Sequence, residues 1–188
     1  MRLPTALFIG RFQPFHNGHF HALKWIAKRS SKIIVAIGSA QEAFKPANPF
    51  SAAERKRMIE KALARSTLKK KVTIRFLTDI NDNNKWVKHV DKNLPKYDVV
   101  YSNNPLVQKL MRKAGKKVKP MPFFEKEKFN ATKIRRMIIK GMEWEDMVPK
   151  GVFLFLAEIG AKERLKAIAN EKSVRQSKQK GLLKRLPS

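Results

Sequence analysis

A short apolar run, Thr5-Ala6-Leu7-Phe8-Ile9, leads straight into a loop with two glycines, and helical spacing begins at once on the far side of it. Gly18 to Lys28 puts Phe20, Leu23 and Ile26 or Ala27 on one helical face, and Lys32 to Ile37 is again a continuous apolar run. Strand, glycine loop, helix and strand in this order leave little freedom. Two strands joined by a helix pair in parallel through a right-handed crossover, so the chain is predicted to build an α/β sheet. The loop, Gly10-Arg11-Phe12-Gln13-Pro14-Phe15-His16-Asn17-Gly18-His19, lies where a helix start offers unpaired N–H groups and the positive end of its dipole. An anion site is expected there, with glycines that let a ligand approach the backbone. His16 and His19 are three apart and share a face if the first turn includes both.

The rest of the chain continues the alternation. Ser51-Ala52-Ala53-Glu54 reads as a capping box opening a helix to about Ala64, with Met58, Ile59 and Leu63 facing inward. Val72 to Leu77 is the third strand, and the polar Asp79 to Asn84 stretch follows it, where open α/β sheets place ligands. A short helix is predicted from Trp86 to Asn93, a strand from Asp98 to Ser102, and a helix after Asn104-Pro105. Lys117 to Lys119 is a last short strand. Helices capped by Asn130 and spanning Gly151 to Ile159 complete the pattern. From Ala161 onward nine basic and two acidic residues, few large apolar ones and no aromatic predict a surface helix running into a mobile basic tail. The expected organisation is a domain over 1–160 and a C-terminal segment over 161–188.

Composition excludes several chemistries. With 188 residues and 43% hydrophobic content the chain can bury one ordinary core. No apolar run is long enough to span a bilayer and no signal-peptide pattern is visible, so a cytoplasmic protein is expected. There is no cysteine, hence no disulfide, thiolate metal site or cysteine nucleophile. The formal charge of +27 attracts polyanions, and the basic tail leaves nucleic acid as a conceivable partner. Its distribution says more. The first carboxylate in the chain is Glu42, which disfavours a paired-carboxylate hydrolase at the loop and suits a polyphosphate.

The loop matches neither G-x-G-x-x-G nor G-x-x-x-x-G-K-[ST], so a dinucleotide fingerprint and a P-loop are excluded at this position. It resembles instead the G-x-F-x-P-x-H-x-G-H signature of the nucleotidylyltransferase superfamily. A second segment, Asn130-Ala131-Thr132-Lys133-Ile134-Arg135, is similar to the I-S-S-T-x-I-R signature of the same superfamily, with Asn130 and Ala131 in place of both serines. Further likeness at Gly38-Ser39-Ala40-Gln41, Asn48-Pro49-Phe50, Glu54-Arg55, Asp79-Ile80, Trp86-Val87 and Asn104-Pro105 points to the archaeal-type nicotinamide mononucleotide adenylyltransferases, over roughly residues 5 to 160. The resemblance implies a Rossmann-like parallel sheet with helices on both faces and a C-terminal helical segment. It implies adenylyl transfer from ATP to nicotinamide mononucleotide, giving NAD and pyrophosphate, with Mg²⁺ bridging the substrate phosphates and a homo-oligomer, often a hexamer.

By that match His16, His19, Arg11 and Arg135 are the catalytic residues. Gly10, Phe12, Gln13, Gly18, Asn104 and Thr132 join them around ATP, the amide and hydroxyl of Thr132 assisting on the triphosphate. Ile80, Asn83, Trp86 and Phe124 are expected around the nicotinamide mononucleotide, where an indole can stack on a cationic pyridine ring. Some relatives carry an arginine near position 47; this chain has Ala47, with Lys45 the nearest cation. Two other readings use the same residues: an adenylyl- or cytidylyltransferase with another phosphate acceptor, and a basic nucleic-acid-binding protein that keeps the fold. The Asp79 to Trp86 segment favours the nicotinamide acceptor.

Overall fold

A computed structural model describes residues 2–125 and 127–171. Five parallel strands, β1 (Thr5–Gly10), β2 (Lys32–Ile37), β3 (Val72–Phe76), β4 (Val99–Tyr101) and β5 (Val118–Lys119), form one sheet in the order β3-β2-β1-β4-β5. The chain winds outward from β1 to β3 on one side and from β4 to β5 on the other. The β1/β4 boundary is therefore the topological switch point, where the carboxyl ends of the strands part and leave a crevice.

Alternation along the strands feeds two cores. Ala6 and Phe8 of β1, with Ile33, Val35 and Ile37 of β2, pack on one face against α1 (Asn17–Ala27), α2 (Ala52–Leu63), α5 (Ala131–Lys140) and α6 (Lys150–Glu158). Leu7, Ile34, Ala36 and Val100 point the other way, toward Val87 and Val90 of α3 (Asn83–Asn93) and Met111 of α4 (Pro105–Lys113). The predicted sheet with helices on both faces is what the chain forms.

Local chemistry sets the helix starts. At α2 the Ser51 hydroxyl accepts from the Glu54 amide at 3.2 Å while the Glu54 carboxylate accepts from the Ser51 amide at 2.8 Å, the expected reciprocal cap. At α3 the predicted start is three residues late. Asp82 Oδ1 accepts from the amides of Asn84 and Lys85, so the helix begins at Asn83 and puts Asn83 and Trp86 one turn apart on the same face. Two short 3₁₀ turns, Thr67–Lys70 and Glu145–Met147, have no apolar periodicity and were not expected from the sequence.

The change of composition at Ala161 is not a change of packing. Residues 161–171 are helical, and Ala161 and Leu165 lie in the same core as β1 and β2. Arg164 Nη1 reaches Glu54 Oε1 at 2.6 Å and ties this helix to the start of α2. The expected mobile tail lies outside the described residues. Helices α2 and α6 meet at Gly151, where an added Cβ would stand 2.7 Å from the Lys61 carbonyl oxygen. Gly151→Ala is therefore expected to destabilise the fold by about 1–3 kcal/mol, read as a lower denaturant midpoint with an unchanged slope.

Candidate active site

The loop between β1 and α1 is held rigid by its own side chains. Phe12 is buried at 2% exposure with φ of 53°, and its ring lies edge-on to Phe8 and His19. A Cβ on Gly10 would sit 2.7 Å from that ring, and one on Gly18 would sit 3.0 Å from Phe129 Cβ. Gly10 makes room for the Phe12 ring and Gly18 for Phe129, a packing requirement that stands beside the ligand approach expected of them. Gln13 is also a structural residue. Its amide nitrogen donates to the Phe50 carbonyl at 2.9 Å and its amide oxygen accepts from the Phe50 N–H at 3.0 Å, with 3% of the residue exposed. The side chains of Phe12 and Gln13 are thus engaged within the protein, which leaves the ATP contact implied for these two residues to their backbone.

The two histidines form a cap of an unusual kind. His16 Nδ1 accepts from the His19 amide at 3.4 Å, and His19 Nδ1 accepts from the His16 amide at 3.2 Å, so the rings stack with centroids 3.6 Å apart. Because each Nδ1 is an acceptor, a neutral ring must carry its proton on Nε2. Burial pushes His16 down to about 4, and burial together with the His16 charge pushes His19 well below its ordinary value. At neutral pH the pair is two uncharged rings with Nε2–H donors. The sign of the linkage follows: unfolded histidine protonates near 6.5 but these do not, so stability is full above that pH and falls as pH drops from 6.5 toward 4. His16 alone should remove about 3 kcal/mol over that window. Urea melts should show this slope, and His16→Asn, which keeps a capping acceptor but cannot titrate, should lessen it by about one proton.

Two cavities flank the switch point and share Ile9 and Asn104 in their walls. One, of about 250 Å³, is lined by His16, Gly18, His19, Asn104, Phe124 and Phe129 among others. The other, of about 380 Å³, is lined by Gly10, Arg11, Ser39, Asp79, Ile80, Asn83 and Trp86 among others. Ile80, Asn83 and Trp86 are brought together as expected. Phe124 is not: it lines the histidine-side cavity, because Asn103 holds the preceding backbone through two bonds to Met121, each 2.9 Å, and carries the loop to that side of β4. Asn104 spends its Oδ1 on the amides of Leu106 and Val107 at the start of α4 and keeps only its amide nitrogen for a ligand.

Arg135 reaches the loop from α5. Its Nη1 donates to the Gln13 carbonyl at 2.7 Å and its Nη2 to Thr132 Oγ1 at 3.3 Å. Burial and then the Arg11 charge lower its proton affinity, so the two guanidiniums share one region. Neither forms an ion pair among the described residues. Two such cations without a carboxylate make an anion site.

The comparisons agree with this chemistry. The chain matches the cytidylyltransferase-like family over residues 7–137. It is 43% identical over 164 residues to the nicotinamide-nucleotide adenylyltransferase of Pyrococcus abyssi, covering 87% of this chain and 88% of that protein. With the Pyrococcus furiosus enzyme of the same name identity is 44%, covering 89% and 90%. The chain belongs to this adenylyltransferase family. Its fold superposes on a bifunctional NMN adenylyltransferase/ADP ribose pyrophosphatase from Francisella tularensis, crystallised with AMP and a manganese ion, with a TM-score of 0.79 and 26% identity. All of this chain is covered there, but only 57% of that longer, bifunctional protein.

Within the family signature the structure explains one departure and limits two contacts. Asn130, standing where the signature has serine, caps α5 through Oδ1 to the amides of Thr132 and Lys133 at 2.9 and 3.1 Å. The Thr132 amide is therefore already occupied, leaving its hydroxyl for a phosphate, contrary to the expectation that both would serve. Lys45, near the position of the absent arginine, is paired with Glu42 at 2.6 Å. Three residues now stand out that motif reading did not assign: Ser39, Asp79 and Arg55. Ser39 Oγ donates to Asp79 Oδ2 at 2.5 Å, and Gln41 grips the Asp79 backbone, so the wall of the Trp86-side cavity is braced from the segment after β2. In the sequence Ser39 and Asp79 stand in polar stretches after strands and Arg55 stands within α2, and all three fall in segments that carry the family likeness without a role attached to them.

Proposed function

We propose that this chain transfers the adenylyl group of ATP to nicotinamide mononucleotide, forming NAD and releasing pyrophosphate. The observation that carries it is a pair of cavities meeting at one switch point, with two neutral imidazole donors beside one and Ile80, Asn83 and Trp86 in the other. In this reading the adenosine half of ATP takes the histidine side, with Phe124 as a wall, and the mononucleotide takes the Trp86 side. Its 5′-phosphate oxygen attacks the α-phosphorus as the bond to the β-phosphate oxygen breaks, and the electron pair leaves with pyrophosphate. A phosphate dianion is already a nucleophile, so the protein's part is alignment and charge stabilisation.

His16 and His19 donate from Nε2 to α-phosphoryl oxygens, and they do so without titrating near neutrality. Arg11 and Arg135 hold the β and γ phosphates, with the Thr132 hydroxyl beside them. Among the described residues no cluster of three His, Asp or Glu side chains could cage a metal, and both imidazoles carry hydrogen on Nε2, which disqualifies them as ligands in this tautomer. Mg²⁺ would be held by the substrate phosphates, and Asp79 supplies a carboxylate on the wall of the Trp86-side cavity. When bound it would supply neutralisation of phosphate charge. No helix among the described residues is long and apolar enough to cross a membrane. A cytoplasmic homo-oligomer, a hexamer by the family resemblance, belongs to the same proposal.

Pyrophosphate release from ATP over a panel of phosphate acceptors tests the reading; release with another acceptor and none with nicotinamide mononucleotide overturns it. Trp86→Ala should raise KM for the mononucleotide about 2- to 30-fold, the equivalent of a lost cation–π contact of 0.5–2 kcal/mol, and leave KM for ATP unchanged. Equal shifts in both constants would place Trp86 outside the acceptor site.

A further inference from the structure

Among the described residues Arg55 is the most thoroughly enclosed charged side chain, with none of its surface exposed. A guanidinium has five N–H donors, and here the acceptors also number five. Nε donates to the Ser51 carbonyl at 3.2 Å. Nη1 donates to the carbonyls of Arg11 at 3.0 Å and Gly38 at 2.7 Å, and Nη2 to those of Ser39 at 3.1 Å and Glu42 at 3.4 Å. Every partner is backbone. The carboxylates that act on it from a distance are engaged elsewhere: Glu54 with Arg164 and the Ser51 amide, Asp79 with Ser39. Burial, ahead of the Arg11 charge, lowers its proton affinity to about 10, which leaves it a cation at neutral pH.

Burying a charge without an ion-pair partner is costly, and here the hydrogen bonds to carbonyls are what offset that cost. The four loop carbonyls belong to the two segments that leave β1 and β2 at the crevice. Arg11 stands in the loop that bears the histidines, while Gly38, Ser39 and Glu42 lead to the wall that braces Asp79. Without Arg55 these segments are joined beyond the strands by few bonds, such as Gly38 N–H to the Gly10 carbonyl at 2.9 Å.

We propose that Arg55 is a positioning residue that sets the β1 loop against the β2 loop and so aligns the acceptor phosphate with the α-phosphorus. This rests on the adenylyl-transfer reading. Lysine at this site keeps the charge but has three donors, so at least two of the five carbonyls lose their partner. Misplacement by about 1 Å costs on the order of 10²-fold in a step governed by alignment.

The test is steady-state kinetics of full-length Arg55→Lys with ATP and nicotinamide mononucleotide, beside the unaltered protein. We expect kcat to fall about 10- to 100-fold, with each KM moving less than about threefold. A kcat within twofold of the unaltered protein, or KM changes that exceed the loss in kcat, overturns the proposal. An unaltered protein that turns over no mononucleotide would overturn the function reading instead. Side-chain ¹⁵N NMR of the arginine-labelled unaltered protein decides without any variant, including where Arg55→Lys does not fold. Separate Nη–H signals for Arg55 that shift on adding either nucleotide alone support the assignment. Averaged signals, or signals indifferent to both nucleotides, overturn it.

Discussion

Replacing His19 by alanine is expected to lower kcat for NAD formation by about 10²- to 10³-fold, the loss seen when one preorganised donor to a developing oxyanion is removed. His19 acts through its protonation as much as through its position. His19 accepts a backbone N–H at Nδ1 and is pushed well below its ordinary pKa by burial and by His16, so its Nε2–H is present throughout the neutral range. The donor therefore needs no proton from solvent and should give a kcat flat with pH from about 6.5 to 8. Alanine also removes half of the cap on α1, worth about 0.5–2 kcal/mol of stability, so turnover must be compared well below the melting temperature of the variant. Near-normal turnover under those conditions would mean that the imidazole pair has a structural role alone.

Arg135→Lys should raise KM for ATP by about 10- to 150-fold, which is the 1.5–3 kcal/mol of a hydrogen bond to a charged group. Nη1 of Arg135 is committed to the Gln13 carbonyl at 2.7 Å and Nη2 to Thr132 Oγ1 at 3.3 Å, and the fork geometry leaves its remaining N–H groups to face a phosphate at the same time. Lysine is a point charge and cannot serve both. Placed beside Arg11 with no carboxylate between them, Arg135 also relieves its own repulsion when an anion arrives, so the loss should fall on ATP and spare the mononucleotide. An unchanged KM for ATP, measured at saturating mononucleotide, would remove Arg135 from the triphosphate site.

Much of the sheet was legible because its signals are local. The apolar runs at Thr5–Ile9 and Lys32–Ile37 become β1 and β2 nearly residue for residue, and the Ser51/Glu54 box starts α2 where expected. Ile80, Asn83 and Trp86 line one cavity because they follow one strand end closely, Ile80 in the loop and Asn83 and Trp86 one turn apart at the start of α3. Phe124, expected beside Ile80, Asn83 and Trp86, lines the other cavity because its place depends on the grip of Asn103 on Met121, eighteen residues away, and no periodicity reports such a contact. Phe12 and Gln13 look like ligand-facing loop residues in a motif, yet both are spent on packing with Phe8, His19 and Phe50.

By itself the sequence determined the alternating α/β plan, the polyphosphate character of the glycine and histidine loop, and the family. These depend on residue type and short spacing, through helix-start amides, strand hydrophobicity and the lack of carboxylates before Glu42. Only the tertiary structure decided which nitrogen of each histidine bears the proton, which amides at Thr132 and Asn104 are still open, and that Arg55 lies saturated beneath the crevice. Each of those is a question of who occupies whose hydrogen-bonding capacity, and that is settled between segments distant in sequence once burial removes water as the alternative partner.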